Sequence, residues 1–175
     1  MPRKRLRNRL VREVEVKLER LKKLPDVLDA ELADIAREIQ STARNMAPVE
    51  YGGLKSAIKI RRRAATQKGV KGFIKGKSSF YVYIDPSQPA PGRKEGVVGG
   101  YAWLVHEHMG FGSFIGPIMP SAESVATAAA FGEVAGGKFI DRAFIKYHNQ
   151  TPARLKRVCR KFVNQQDYMV NRVDK

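Results

Sequence analysis

The chain has 175 residues, of which 43% are apolar and 29% charged, a composition typical of a globular protein rather than a disordered one. Its single cysteine, Cys159, excludes an internal disulfide and any zinc site that needs two thiolates. The net charge of +16 makes isolated copies repel one another and attract polyanions. No stretch of about 18 apolar residues is present, so we expect no membrane span.

The chain begins with a basic segment. Arg7, Arg9 and Arg12 interrupt any apolar stretch that a signal peptide would need, so we expect synthesis in the cytoplasm and no secretion. Residues 1–9 are expected to form a flexible basic arm.

Residues 10–24 fit two patterns. Leu10, Val14, Leu18 and Leu21 suit a helical stripe, whereas the apolar side chains between residues 14 and 18 also alternate with charged ones. The alternation favours a strand near residues 11–18, followed by a short helical turn that ends at Leu24.

The most regular element is a helix predicted between Pro25 and Asn45. Proline is tolerated in the first helical turn, where its missing N–H costs little, and Pro48 disfavours helical geometry in the residue before it. Apolar residues recur at spacings of three and four and form one stripe: Leu28, Leu32, Ile35, Ala36, Ile39 and Ala43. Burial of the four large side chains would contribute roughly 6–12 kcal/mol, at about 1.5–3 kcal/mol each.

The remainder predicts short strands, long loops and further helices. Gly52 and Gly53 indicate a turn, and a helical turn at Leu54 leads into a strand whose Ile58 and Ile60 share one face. The other predicted elements are a short strand around Val70, Phe73 and Ile74, a strand over 79–85, a helix or strand over 101–107, and helices over 124–131, 138–147 and 153–166.

These elements predict an α+β fold, with a long helix packed on a small, mostly antiparallel sheet, long loops and C-terminal helices. We expect residues 10–150 to form the domain and residues 151–175 to be a C-terminal helical extension.

The sequence lacks the patterns of common active sites. Gly76-Lys77-Ser78 resembles the end of a phosphate-binding loop, but it precedes a strand and Lys71 stands where that loop needs glycine. His106 and His108 are two residues apart, which does not match helical metalloprotease spacing, although on a strand they would share a face and could form a weak metal site. We therefore expect no enzyme, no catalytic residue, no cofactor and no metal.

Basic residues form clusters without acids, and these clusters either serve solubility or face nucleic acid or an acidic partner. The candidate DNA-facing or partner-facing surface comprises Arg3, Lys4, Arg5, Arg7, Arg9, Lys55, Lys59, Arg61, Arg62, Arg63, Lys68, Lys71, Lys75 and Lys77. Nearby aromatic residues could stack on single-stranded bases or pack in the core: Phe80, Tyr81, Tyr83, Tyr101 and Trp103.

Ile35 to Val49, which ends in an Ala-Pro-Val step, leads into Gly53-Leu54-Lys55-Ser56-Ala57-Ile58. This arrangement resembles the tail-component family of lambdoid phages, also called tail completion or head–tail joining proteins. The segments Tyr101 to Glu107 and Gly137 to Phe144 follow in the family's order, although Gly137-Lys138 replaces the usual proline.

The resemblance implies a structural protein of the virion neck, head–tail junction or tail terminus, which forms a ring of six subunits around the DNA channel. The implied partners are further copies of the chain, neighbouring neck, connector or tail proteins, and non-specifically bound double-stranded genomic DNA. The alternative from charge alone is a stand-alone, sequence-independent nucleic-acid-binding protein. The acidic face of the long helix is expected to dock a basic cluster of the next subunit.

Overall fold

The computed structural model describes residue 12 and residues 14–49, 53–64, 78–90, 97–108, 112–113, 116–117 and 119–170. Helix α1 covers residues 14–21. The elements that follow are α2 (Leu24–Met46), α3 (Leu54–Ala57), β1 (Ile58–Ala64), β2 (Ser78–Ile84), α4 (Gly99–His108), β3 (Gly112–Ser113), β4 (Gly116–Pro117), α5 (Ala122–Ala129), α6 (Phe139–His148) and α7 (Thr151–Val170).

The strand predicted near residues 11–18 is wrong, because residues 14–21 are helical. Val14 and Leu18 remain more than half exposed, so α1 gains little from burial. The segment is rich in Leu, Glu, Lys and Arg, which favour helix, and Lys22 pairs with Glu19 one turn away. No strand in the described part of the chain pairs with this segment, so a strand here would lack backbone hydrogen-bond partners.

Helix α2 is the centre of the core and confirms the predicted long helix. A proline lies in its first turn, and the helix ends where Ala47 becomes extended and donates its N–H to Ala43 O at 2.9 Å. Ile35, Ile39 and Ala43 of the predicted stripe are buried, whereas the earlier leucines of the stripe are half-buried.

Strand β1 packs back against α2 after the helix ends at Met46. Leu54 and Ile58 are fully buried, and the carbonyl of Ile58 accepts hydrogen bonds from Gln40 Nε2 at 2.7 Å and from an Arg44 guanidinium nitrogen at 2.8 Å. Strands β1 and β2 pair antiparallel, from Ile58 opposite Ile84 to Ala64 opposite Ser78. These contacts confirm an α+β fold in which the long helix packs on a small antiparallel sheet.

The C-terminal helices close the other side of α2. Phe139 at the start of α6 is fully buried. Helix α7 is tied to α2 by Arg154, whose guanidinium contacts Glu31 at 2.8 Å and Glu38 at 2.6 Å. The segment 101–107, which fitted either helix or strand, is helical and buries Tyr101 and Val105.

We expect Gly53→Ala to destabilise the fold, because a methyl group at this position would lie 2.1 Å from Pro89 O, a backbone atom. Overpacking of this kind costs about 1–3 kcal/mol. Urea denaturation followed by circular dichroism measures the loss in free energy of unfolding. Ser79→Ala, at an exposed position of β2, adds no atom and is the control, and equal stability of the two variants would contradict the close packing.

Candidate nucleic-acid interface

The outer face of the β1–β2 sheet, directed away from α2, carries cations and tyrosines. Side chains alternate between the two faces of a strand. Phe80, Val82 and Ile84 are half-buried on the α2 side, whereas Tyr81 and Tyr83 are 49% and 38% exposed on the other. Lys59, Arg61 and Arg63 share that outer face, and we call these three cations and two tyrosines the basic–aromatic face.

The register places each tyrosine directly opposite a cation. Lys59 lies opposite Tyr83, and Arg61 lies opposite Tyr81. The carbonyl of Ile58 points away from β2, since it accepts hydrogen bonds from α2. Opposed residue pairs in an antiparallel ladder alternate between hydrogen-bonded and non-hydrogen-bonded pairs. The Ile58–Ile84 pair is therefore non-hydrogen-bonded, whereas the Lys59–Tyr83 and Arg61–Tyr81 pairs are hydrogen-bonded, with Cα atoms about 5.5 Å apart. A shallow groove is lined by four of these side chains and the intervening arginine: Arg61, Arg62, Arg63, Tyr81 and Tyr83.

Arg62 is paired with groups of this chain, unlike Arg61 and Arg63, although its side chain remains 61% exposed. Its guanidinium contacts Asp29 of α2 at 2.7 Å and Ser78 Oγ at 3.0 Å, and the Ser78 hydroxyl donates to the same carboxylate at 2.7 Å. The three side chains therefore join both strands to the first turns of α2.

Asp85 closes one end of the basic–aromatic face. The hydroxyl of Ser87 donates to its carboxylate at 2.7 Å and the Ser87 N–H at 3.0 Å. These hydrogen bonds, with a smaller contribution from the positive charge of Lys59, lower the pKa of Asp85. The carboxylate therefore stays ionised and offsets part of the positive charge at this end.

The structure brings together only part of the predicted basic surface. Lys59, Arg61 and Arg63 share one face, Arg62 is engaged with α2, and Lys55 lies on α3. The predicted arm and four loop lysines lie outside the described residues: Arg3, Lys4, Arg5, Arg7, Arg9, Lys68, Lys71, Lys75 and Lys77.

The five candidate stacking residues also separate. Tyr101 is buried in the core, and Phe80 is half-buried against α2. Trp103 is 67% exposed, but it lies on α4 rather than on the sheet. Strand alternation alone could have paired Tyr81 with Tyr83, whereas their cationic neighbours depend on the register with β1.

The acidic face of α2 is occupied within the chain. Glu31 and Glu38 bind Arg154, and Asp29 binds Arg62. Three of the carboxylates expected to dock a neighbouring subunit therefore already have partners.

One group of side chains has the composition of a metal site. His106, Glu107 and Asp141 each place a possible ligand atom within 4.8 Å of the others. His106 Nδ1 lies 2.8 Å from a Glu107 carboxylate oxygen, and its ring meets Phe139 edge-on, with centroids 4.8 Å apart. The sequence pattern pointed to His106 but not to Asp141, which the docking of α6 brings to it.

Comparison with known proteins finds no matching family, no matching curated protein and no matching solved structure. Among the residues that the structure describes, no helix has both the length and the apolar character needed to cross a membrane.

Neutralising Arg62 should lower the stability of the fold more than neutralising the adjacent Arg61. Arg62→Gln removes the ionic contact with Asp29, and we expect a loss of about 1 kcal/mol in the free energy of unfolding. The side chain of Arg61 points outward from the same strand, so we expect Arg61→Gln to change the free energy of unfolding by no more than about 0.5 kcal/mol. Thermal unfolding of both variants measures the difference, and a larger loss for Arg61→Gln would contradict the assignment of faces.

Proposed function

We propose that this chain is a structural virion protein of a tailed bacteriophage, a ring-forming component of the neck, head–tail junction or tail terminus. The ring, of six subunits by the resemblance, surrounds the DNA channel and contacts neighbouring neck, connector or tail proteins. The protein acts as a building block, without catalysis or a cofactor.

The observation that carries the proposal is the packing of α2 on the β1–β2 sheet. The segments that resemble the tail-component family are Ile35 to Val49 and Gly53 to Ile58. In the structure they form the buried half of α2, its end, α3 and the start of β1. The strongest part of the resemblance therefore coincides with the core of the fold.

An incomplete sheet supports assembly with further copies. Because rungs alternate, the backbone groups of Phe80 and Val82 point away from β1, and the described residues supply no strand there. This edge borders an apolar groove whose other walls include Leu32, Ile35, Ile39, Ile140 and Phe144. An unpaired edge is a template for a strand of another chain, and head-to-tail contacts between identical subunits close rings. A strand of a second copy is therefore the proposed occupant.

The basic–aromatic face is the proposed contact with DNA. Arg61 and Arg63 are exposed and have no hydrogen bond or ion pair within the described residues. Cations of this kind bind phosphates without regard to sequence, with an affinity that falls as salt rises.

The second candidate is a nucleic-acid-binding protein that works alone, and the exposure of Tyr81 and Tyr83 beside cations favours it. Native mass spectrometry and the protein content of purified particles discriminate the two. A DNA-binding monomer absent from particles would overturn the virion proposal, whereas electron microscopy of intact particles would locate a ring.

We expect Val82→Pro to abolish assembly without unfolding the subunit. The Val82 N–H points away from β1, so proline removes an edge donor and leaves the β1–β2 ladder intact. Native mass spectrometry should show oligomers for the unmodified protein and monomers for the variant. Tyr83→Pro is the control, because it removes a donor to β1 and should destabilise the sheet itself. Oligomers that persist in Val82→Pro would contradict assembly through this edge.

We expect the triple variant Lys59→Gln, Arg61→Gln, Arg63→Gln to weaken the salt dependence of duplex DNA binding. Each lost phosphate contact lowers the slope of log affinity against log salt by about 0.9. Fluorescence anisotropy titrations at several salt concentrations measure the slope.

The matched control removes three exposed charges from α7: Lys156→Gln, Arg157→Gln and Arg160→Gln. An equal reduction in both triple variants would mean that net charge, rather than the sheet face, determines binding.

A further inference from the structure

We propose that the basic–aromatic face binds unpaired, single-stranded nucleic acid in preference to duplex. In this arrangement bases stack on Tyr81 and Tyr83, while Lys59, Arg61 and Arg63 contact the phosphates. The inference rests on the proposed function in one respect, that nucleic acid is the ligand of this face.

The spacing of the two tyrosines fits stacked bases. Tyr81 and Tyr83 are two residues apart on one face of β2, which separates them by about 6.6–6.8 Å. Successive bases along a strand lie about 3.4 Å apart, so the gap corresponds to about two stacking distances. One base fits between the two rings, or each ring can carry a base of its own.

The cations lie where the phosphates of such a strand would pass. Arg61 and Lys59 are the cross-strand neighbours of Tyr81 and Tyr83, so each ring has a positive charge beside it. Arg63 extends the row by one more position along β1. Base–aromatic stacking next to a cationic row is the combination that binds single strands without sequence preference.

A duplex can use only half of this surface. Its bases are stacked on one another inside the helix, so the tyrosine faces have no base to receive, whereas the cations still meet phosphates. The rings therefore add affinity for a single strand and little for a duplex, which makes the ratio of the two affinities the informative quantity.

An acidic protein is the competing partner for a cationic face. It would use the arginines and the lysine, but the carboxylates that make it acidic do not stack on aromatic rings. A ligand with planar bases uses both the cations and the exposed rings of Tyr81, at 49%, and Tyr83, at 38%.

The test compares full-length protein and its variants in anisotropy titrations with a labelled oligothymidylate and a duplex of equal length. We expect Tyr81→Ala and Tyr83→Ala each to weaken single-strand binding by about 5- to 150-fold, the range for loss of one stacked base. Duplex affinity should change less than about twofold, because phosphate contacts remain. Tyr81→Phe and Tyr83→Phe keep the ring and should bind as the unmodified protein does.

Phe131→Ala is the matched control, since Phe131 is 61% exposed but lies after α5, away from the sheet. Equal affinity of the unmodified protein for both probes, or an unchanged ratio in the tyrosine-to-alanine variants, would overturn the inference. Binding to polyglutamate but to neither nucleic acid would also overturn it, in favour of an acidic protein. Native mass spectrometry of the same samples reports ring formation separately, so an oligomer without single-strand preference refutes this inference alone.

Discussion

The contact between the apolar stripe of α2 and the inner face of the β1–β2 sheet is the constraint on which the structure depends. Two strands alone are marginally stable in water, so this sheet needs the helix to cover its apolar side. Pro48 and Gly53 make the contact possible, because Pro48 disfavours continuation of the helix and Gly53 leaves room for Pro89 O. With one face covered, the other is free to carry charge.

Some charged side chains of this protein form ion pairs within the chain, whereas others face solvent. The carboxylates of α2 that meet arginines do so within the chain, as Glu31 and Glu38 do with Arg154. Arg61 and Arg63, by contrast, face solvent from the same strand as the engaged Arg62. The outer sheet face therefore carries an excess of positive charge, which Asp85 offsets only at one end.

The two proposed binding surfaces use different features of β2. Its outer edge offers backbone groups of Phe80 and Val82 to another strand, whereas its outer face offers Tyr81 and Tyr83 to a ligand. Edge and face are independent in a strand, because successive residues alternate both their side-chain direction and their hydrogen-bonding direction. A ring joined through the edge would therefore leave the basic–aromatic face of every subunit open.

The sequence by itself determined α2, both strands of the β1–β2 sheet and the helical C-terminus, because periodicity, prolines and β-forming runs are local signals. It did not determine whether residues 14–21 form a helix or a strand, because helical and alternating patterns coexist there. These residues are helical, and no strand of the described residues pairs with them. Tertiary structure alone paired Arg61 with Tyr81, separated Arg62 from its neighbours and brought Asp141 to His106. Register and helix docking join residues far apart in the chain, and no local pattern encodes such contacts.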